Sequence, residues 1–305
     1  MPNPHITPEM IRLYDRFTHQ ALDRRGLMSG LTRLAGSVAA ATAVLGLIEA
    51  SPAAAAQTDP QDARLSTQRV QWDAANGRKL KGYLAVPRPM PVPLPAIVVI
   101  HENRGLNAHI EDVARRAALA DYVALAPDFL TAKGGTPADE DQARLEITAL
   151  DPRQTIADAV ATLDWLRKNP RVAGRVGAVG FCWGGGLVNR IAVAAGNRLA
   201  AGVVYYGPSP DPSEAASVKA HMMLHYAGLD DRVNATAPAW TEALKNAGVD
   251  VRTYNYPNVN HAFNNDTSAA RYDAAAAKLA WERTIAFFNA VLQPAKPRAN
   301  EPAPL

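Results

Sequence analysis

The stretch Gly180-Phe181-Cys182-Trp183-Gly184-Gly185 decides the fold. It joins Val176–Phe181, an apolar run that reads as a strand, to Gly184–Ala195, which reads as a helix. A nucleophile held on a sharp strand-to-helix turn between glycines is a nucleophile elbow, here with cysteine where serine is usual. The elbow residue takes a strained backbone and its flanks pass close to neighbouring chain, so a Cβ at 180 or 184 would collide. The turn drives the sulfur out at the rim of the sheet, and the N–H groups opening the helix favour its thiolate. The short motif alone would be weak. Its strand–turn–helix setting argues against an inert packing cysteine, which belongs inside an element.

Working outward, strands and helices alternate. Val70–Asp73 and Leu80–Val86 flank Asn76-Gly77, a hairpin signal. Ala96–Ile100 and Val123–Ala126 read as strands buried on both faces. Ile110–Ala120 reads as a helix, as do residues 139–149 and 153–168. Ala201–Tyr206, Met222–Tyr226 and Val251–Tyr256 read as further strands, Thr236–Asn246 and Ala269–Val291 as helices. This order predicts an α/β fold with a mostly parallel sheet covered on both sides and its ligand site at the carboxyl edge of the strands.

A thiol near its ordinary pKa is mostly protonated at neutral pH and needs a partner. In folds with such an elbow the acid and then the histidine follow the nucleophile along the chain. Asp230, in Gly228-Leu229-Asp230-Asp231 after a strand, suits the acid better than Asp231, which is placed to cap the loop or face solvent. His261 follows the strand ending at Tyr256-Pro257 and suits the base. His221 and His225 fit packing roles, His109 a helix cap and His101 a pocket wall; His5 and His19 fall in the N-terminal segment. The backbone N–H of Trp183, next after the nucleophile, is one expected oxyanion donor, and the other comes from the loop after the first buried strand. Tyr206, at a strand end, is a candidate pocket residue whose alternative is a half-buried strand aromatic.

These residues resemble the dienelactone hydrolase family over about residues 68–292. The specific pieces are Gly180–Gly185, Gly228-Leu229-Asp230, His261-Ala262-Phe263 and His101-Glu102-Asn103-Arg104-Gly105. The resemblance implies an α/β-hydrolase fold and hydrolysis of an ester or lactone through a Cys-His-Asp triad and an acyl-thioester. It implies that the Asn103 N–H is the second oxyanion donor and that Glu102 touches the resting cysteine. The other reading of Glu102 is a loop ion pair with Arg104. Members that open dienelactone carry an arginine four residues after the histidine; Asn265 stands there, and Arg144 is the remaining candidate for a substrate-holding arginine. The reaction class is therefore expected, and dienelactone itself is not. Two rivals stay open: a general carboxylesterase or thioesterase, separable by a panel of lactones and aryl esters, and a non-catalytic redox-sensing or binding module, which would need neither Asp230 nor His261.

Composition limits the alternatives. A formal charge of +3 with no Lys/Arg cluster gives no support for nucleic-acid binding. A single cysteine forbids an intrachain disulfide or a cysteine-based zinc site, and the seven histidines show no metal-ligand spacing. No metal or organic cofactor is expected, only a small-molecule ester or lactone, in a monomer or small homo-oligomer.

Residues 1–56 differ from the rest. Arg24-Arg25, a weakly apolar run from Leu34 to Ile48, and Ala54-x-Ala56 together describe an export leader of the twin-arginine type, cleaved before Gln57, with a periplasmic or secreted product. The alternative is an uncleaved N-terminal helical extension on a cytoplasmic protein. The run is too short and alanine-rich for a stable membrane span. Residues 57–67 read as a linker and 293–305 as a proline-rich tail.

Overall fold

The apolar segments at the centre of the chain stack side by side. In the computed structural model, which describes residues 6–19, 22–49 and 56–293, eight strands form one sheet: β1 Leu65–Asp73, β2 Lys79–Pro87, β3 Leu94–Ile100, β4 Val123–Asp128, β5 Val172–Phe181, β6 Ala201–Tyr205, β7 His221–Ala227 and β8 Val251–Tyr256. Their order is β1-β2-β4-β3-β5-β6-β7-β8. β1, β2 and β4 pair antiparallel, and every later pair is parallel. The α/β-hydrolase fold expected from the elbow is the one observed.

Among the described residues, ten helices accompany the sheet: α1 Pro8–Thr18, α2 Arg24–Ala35, α3 Val38–Ile48, α4 Ala108–Leu119, α5 Glu140–Thr148, α6 Pro152–Lys168, α7 Trp183–Ala194, α8 Asp231–Asn234, α9 Ala237–Asn246 and α10 Ala274–Leu292. Strand side chains alternate between two cores. Ile97, Val99, Val179 and Phe181 pack with α4 and α10 on one face. Val98, Ile100, Ala178 and Val204 pack with α6, α7 and α9 on the other. That two-sided burial explains why β3–β7 read as continuous apolar runs.

Several boundaries move. β1 begins at Leu65, inside the stretch read as linker, because its register with β2 continues from Asp73↔Lys79 to Leu65↔Pro87. The hairpin turn is where Asn-Gly placed it, with positive φ at Asn76 and Gly77. Tyr206 is not a strand residue; its φ of 39° turns the chain out of β6. α10 starts at Ala274 rather than at 269, since Asn265, Ser268 and Arg271 take part in hydrogen-bonded turns first. His109 does not cap α4. Asn107 does, and buried His109 bonds Asp266 at 2.8 Å.

The N-terminal segment is helical. α1, α2 and α3 share a small core of Tyr14, Phe17, Leu27, Leu31, Val44 and Ile48. No single helix among the described residues is long and apolar enough to cross a membrane; α2 and α3 reach the required composition only as a pair bent by 111°. Residues 53–55, in the expected cleavage motif, and all but Gln293 of the expected tail lie outside the described residues.

Candidate active site

Cys182 sits between β5 and α7 with φ 53° and ψ −113°, a conformation that side chains other than glycine rarely adopt. The chain is held there from both sides: Cys182 N–H donates to Tyr205 O at 3.0 Å, and Gly186 N–H to Cys182 O at 3.1 Å. The flanking glycines are required by space. A Cβ on Gly180 would lie 2.2 Å from Gly184 O, and one on Gly184 would lie 2.4 Å from His101 O. Trp183 opens α7, so its N–H is one of the four that no helical carbonyl accepts. Its indole stacks on buried His101 at 5.2 Å, and His101 does not line the cavity at Cys182.

Asp230 and His261 reach the same rim from the ends of β7 and β8. Asp230 Oδ1 caps α8 by accepting from Val233 N–H at 3.2 Å, while His261 Nδ1–H donates to Asp230 Oδ2 at 2.5 Å. Asp231, one residue on, is exposed. The pair fixes the tautomer of His261 and directs Nε2 toward Cys182. His261 Nε2 has no hydrogen-bond partner, although it and Cys182 Sγ lie within 4.8 Å of each other. Burial disfavours the Cys182 thiolate, but the charge of His261 overcomes it and pulls the thiol down to about 5. Burial likewise disfavours the His261 imidazolium, and Asp230 and Cys182 carry it up to about 10. Both shifts favour the thiolate–imidazolium form of the buried pair.

Glu102 and its neighbours form the other wall. Glu102 lines the cavity with Cys182, as the resemblance implies, but makes no hydrogen bond to it. Glu102 Oε1 accepts from Tyr206 O–H at 3.4 Å and Oε2 from Asn265 Nδ2 at 2.6 Å. Nor does Glu102 pair with Arg104, whose guanidinium binds Glu140 and the Tyr14 hydroxyl instead. Tyr206 is buried with its ring 4.9 Å from that of His261, but it does not line the cavity at Cys182. Arg144 does not border the cavity at Cys182. It is buried under Phe17, 4.5 Å from the ring centroid, with Asp141 3.6 Å from its Nε.

What fills the mouth of the site is the N-terminal segment. Thr18 O accepts from Asn103 Nδ2 at 2.9 Å, and His19 Nε2 lies 3.5 Å from Cys182 Sγ. Buried Arg271 spans Tyr14, 5.1 Å from its ring, and Asp15 at 3.8 Å. Ser268 Oγ donates to Ile48 O at 2.8 Å. The cavity at Cys182, lined by Thr18, His19, Glu102, Asn103, His261 and Arg271 among others, is only about 10 Å³, barely one water. Sequence reasoning set His19 aside with the leader and did not weigh Arg271. Neither carries a motif: the docking of α1 brings His19 in, and Arg271 comes from the turns between His261 and α10. The same docking gathers His19, Cys182 and His261 into a set with metal-ligand spacing that their positions along the chain do not show.

The family model described as the dienelactone hydrolase family matches residues 80–292. A protein from Aquifex pyrophilus, named usf, is 33% identical over 237 residues, covering 74% of this chain and 99% of its own length. A provisionally named carboxymethylenebutenolidase from Escherichia coli O157:H7 is 30% identical over 230 residues, covering 70% of this chain and 84% of that one. Among solved structures, the crystal structure of a dienelactone hydrolase from Anabaena variabilis shares the fold with a TM-score of 0.60 at 22% identity, covering 75% of this chain and all of that one.

Proposed function

The chain belongs to the dienelactone hydrolase family, and on that premise we propose that it hydrolyses ester or lactone bonds with Cys182 as nucleophile, His261 as base and Asp230 as its orienting carboxylate. The observation that carries this reading is a cysteine at a strained elbow facing an imidazole whose other nitrogen is bound by a buried carboxylate.

The Cys182 thiolate attacks the carbonyl carbon, and the backbone N–H groups of Trp183 and Asn103 receive the developing oxyanion. Each such donor is worth about 3 kcal/mol in the transition state. The imidazolium of His261 protonates the departing alcohol, leaving an acyl-thioester on Cys182. His261 then takes a proton from water, the hydroxide adds to the acyl carbon, and the thiolate leaves. Lactones, activated esters and thioesters suit this nucleophile, because a thiolate leaves more readily than the alkoxide of a simple alkyl ester.

Substrate enters where Thr18 and His19 now lie, so turnover requires α1 to lift from the mouth. One feature favours substrates other than dienelactone: Asn265, at the position of the expected arginine, is committed to Glu102. Aryl-acetate and lactone hydrolysis by the full chain beside its Cys182→Ala variant tests the proposal. Loss of turnover by at least about 10³-fold is expected; equal rates would refute the assignment.

A further inference from the structure

His19 is unused by the reaction just described, yet the structure aims it at the nucleophile. Its Nδ1–H donates to Asp15 O at 2.7 Å, which commits that nitrogen and leaves Nε2 as the atom offered to Cys182. Arg232 Nη2 lies 3.0 Å from the same Nε2. A guanidinium can only donate, so this nitrogen presents a lone pair. His261 is arranged in the same manner, with Nδ1–H held by Asp230 and Nε2 buried without a partner. Two imidazole nitrogens and one sulfur thus converge, all within 4.8 Å of one another. Each ring is fixed from behind by an oxygen, one carboxylate and one carbonyl, as metal-bound histidines are.

We propose that His19, Cys182 and His261 form a zinc-binding site that fastens the N-terminal helices over the active centre. A tetrahedral zinc with one sulfur and two nitrogen ligands sets sulfur and nitrogen about 3.5 Å apart; Cys182 Sγ and His19 Nε2 are separated by 3.5 Å. Imidazole and thiolate suit zinc by softness, and the fourth position is left to water. Binding sends the proton of the Cys182–His261 pair to solvent and displaces the exposed Arg232 side chain. Zinc then occupies the sulfur and nitrogen lone pairs that hydrolysis needs, while His19 ties α1 to the mouth. The inhibitory consequence rests on the catalytic reading of Cys182 and His261; the binding itself does not.

The test is metal titration of the metal-free full chain, with zinc in competition with a chromophoric indicator and with cobalt(II) read by absorption. One equivalent of zinc should bind, and cobalt should give a thiolate charge-transfer band with the strong visible bands of a tetrahedral site. His19→Ala should weaken zinc binding on the order of 100-fold, at least the loss seen for groups that merely support a ligand, and strip intensity from the cobalt bands. Arg232→Ala, which removes a competing cation at the surface, should tighten binding. Absence of a stoichiometric site, equal affinity in wild type and His19→Ala, or weaker binding in Arg232→Ala would each overturn the site. Metal-free hydrolysis that survives Cys182→Ala would instead overturn the catalytic reading and leave the cobalt spectrum of wild type untouched.

Discussion

Asn265 Nδ2 donates to Glu102 Oε2 across 2.6 Å, both side chains buried at the rim of the sheet. The amide stands where relatives that open dienelactone are expected to carry an arginine, and here it satisfies a carboxylate of the protein rather than of a substrate. Asn265 also accepts from Thr267 N–H at 3.1 Å and Oγ at 2.6 Å, so one side chain organises the loop after His261. Asn265→Ala strands a buried carboxylate oxygen and should cost about 1–3 kcal/mol. Thermal unfolding checks it, with Tm expected to fall by several degrees.

The pH behaviour of Cys182 follows from its neighbours. A cation beside a thiol favours the charged form, so thiolate should appear as pH rises through about 5 and persist through neutrality. Removing the cation removes that preference, leaving burial, which acts the other way. His261→Gln should therefore move the midpoint upward by more than one pH unit. Ultraviolet thiolate absorbance against pH measures this without substrate.

The elbow admits no side chain at its first glycine. Gly180→Ala would drive a methyl into Gly184 O and the backbone beside it. Backbone strain of this sort belongs among the mutations costing about 2 kcal/mol or more. Denaturant unfolding should show that loss, and hydrolysis should fall with it because Cys182 can no longer hold its turn.

The N-terminal segment covers the mouth of the site. Tyr14 and Phe17 are anchors of α1, each stacked under an arginine of the domain, Arg271 and Arg144 respectively. Truncating a buried aromatic costs about 3–5 kcal/mol, partly at the expense of the docked state. Phe17→Ala should speed alkylation of Cys182 by iodoacetamide at least about tenfold, each 1.4 kcal/mol being a factor of ten in an opening equilibrium. An unchanged alkylation rate would show that α1 does not gate the site.

The core of this arrangement was legible because its physics is local. A strained strand-to-helix turn needs glycine, so Gly180 and Gly184 marked the elbow, and strands buried on two faces wrote themselves as apolar runs. Asp230 and His261 were found because each follows a strand whose carboxyl end lies at one rim. The rest depended on packing between distant segments. Nothing near Glu102 in sequence signals that Asn265 will bind it, and nothing near His19 signals a thiol 163 residues away. The sequence leaves Arg144 as a candidate to hold substrate, but α1 lays Phe17 over it. A segment with leader-like composition supplies the contacts to Cys182 and Arg144, and composition carries no information about where such a segment docks.

The most direct measurement is rapid-quench intact mass spectrometry of the metal-free full chain mixed with an activated aryl ester, followed by peptide mapping. The account predicts a transient acyl mass on the peptide holding Cys182, formed in wild type and absent in Cys182→Ala. Hydrolysis that proceeds with no adduct at Cys182, or with the acyl group on another residue, would contradict it.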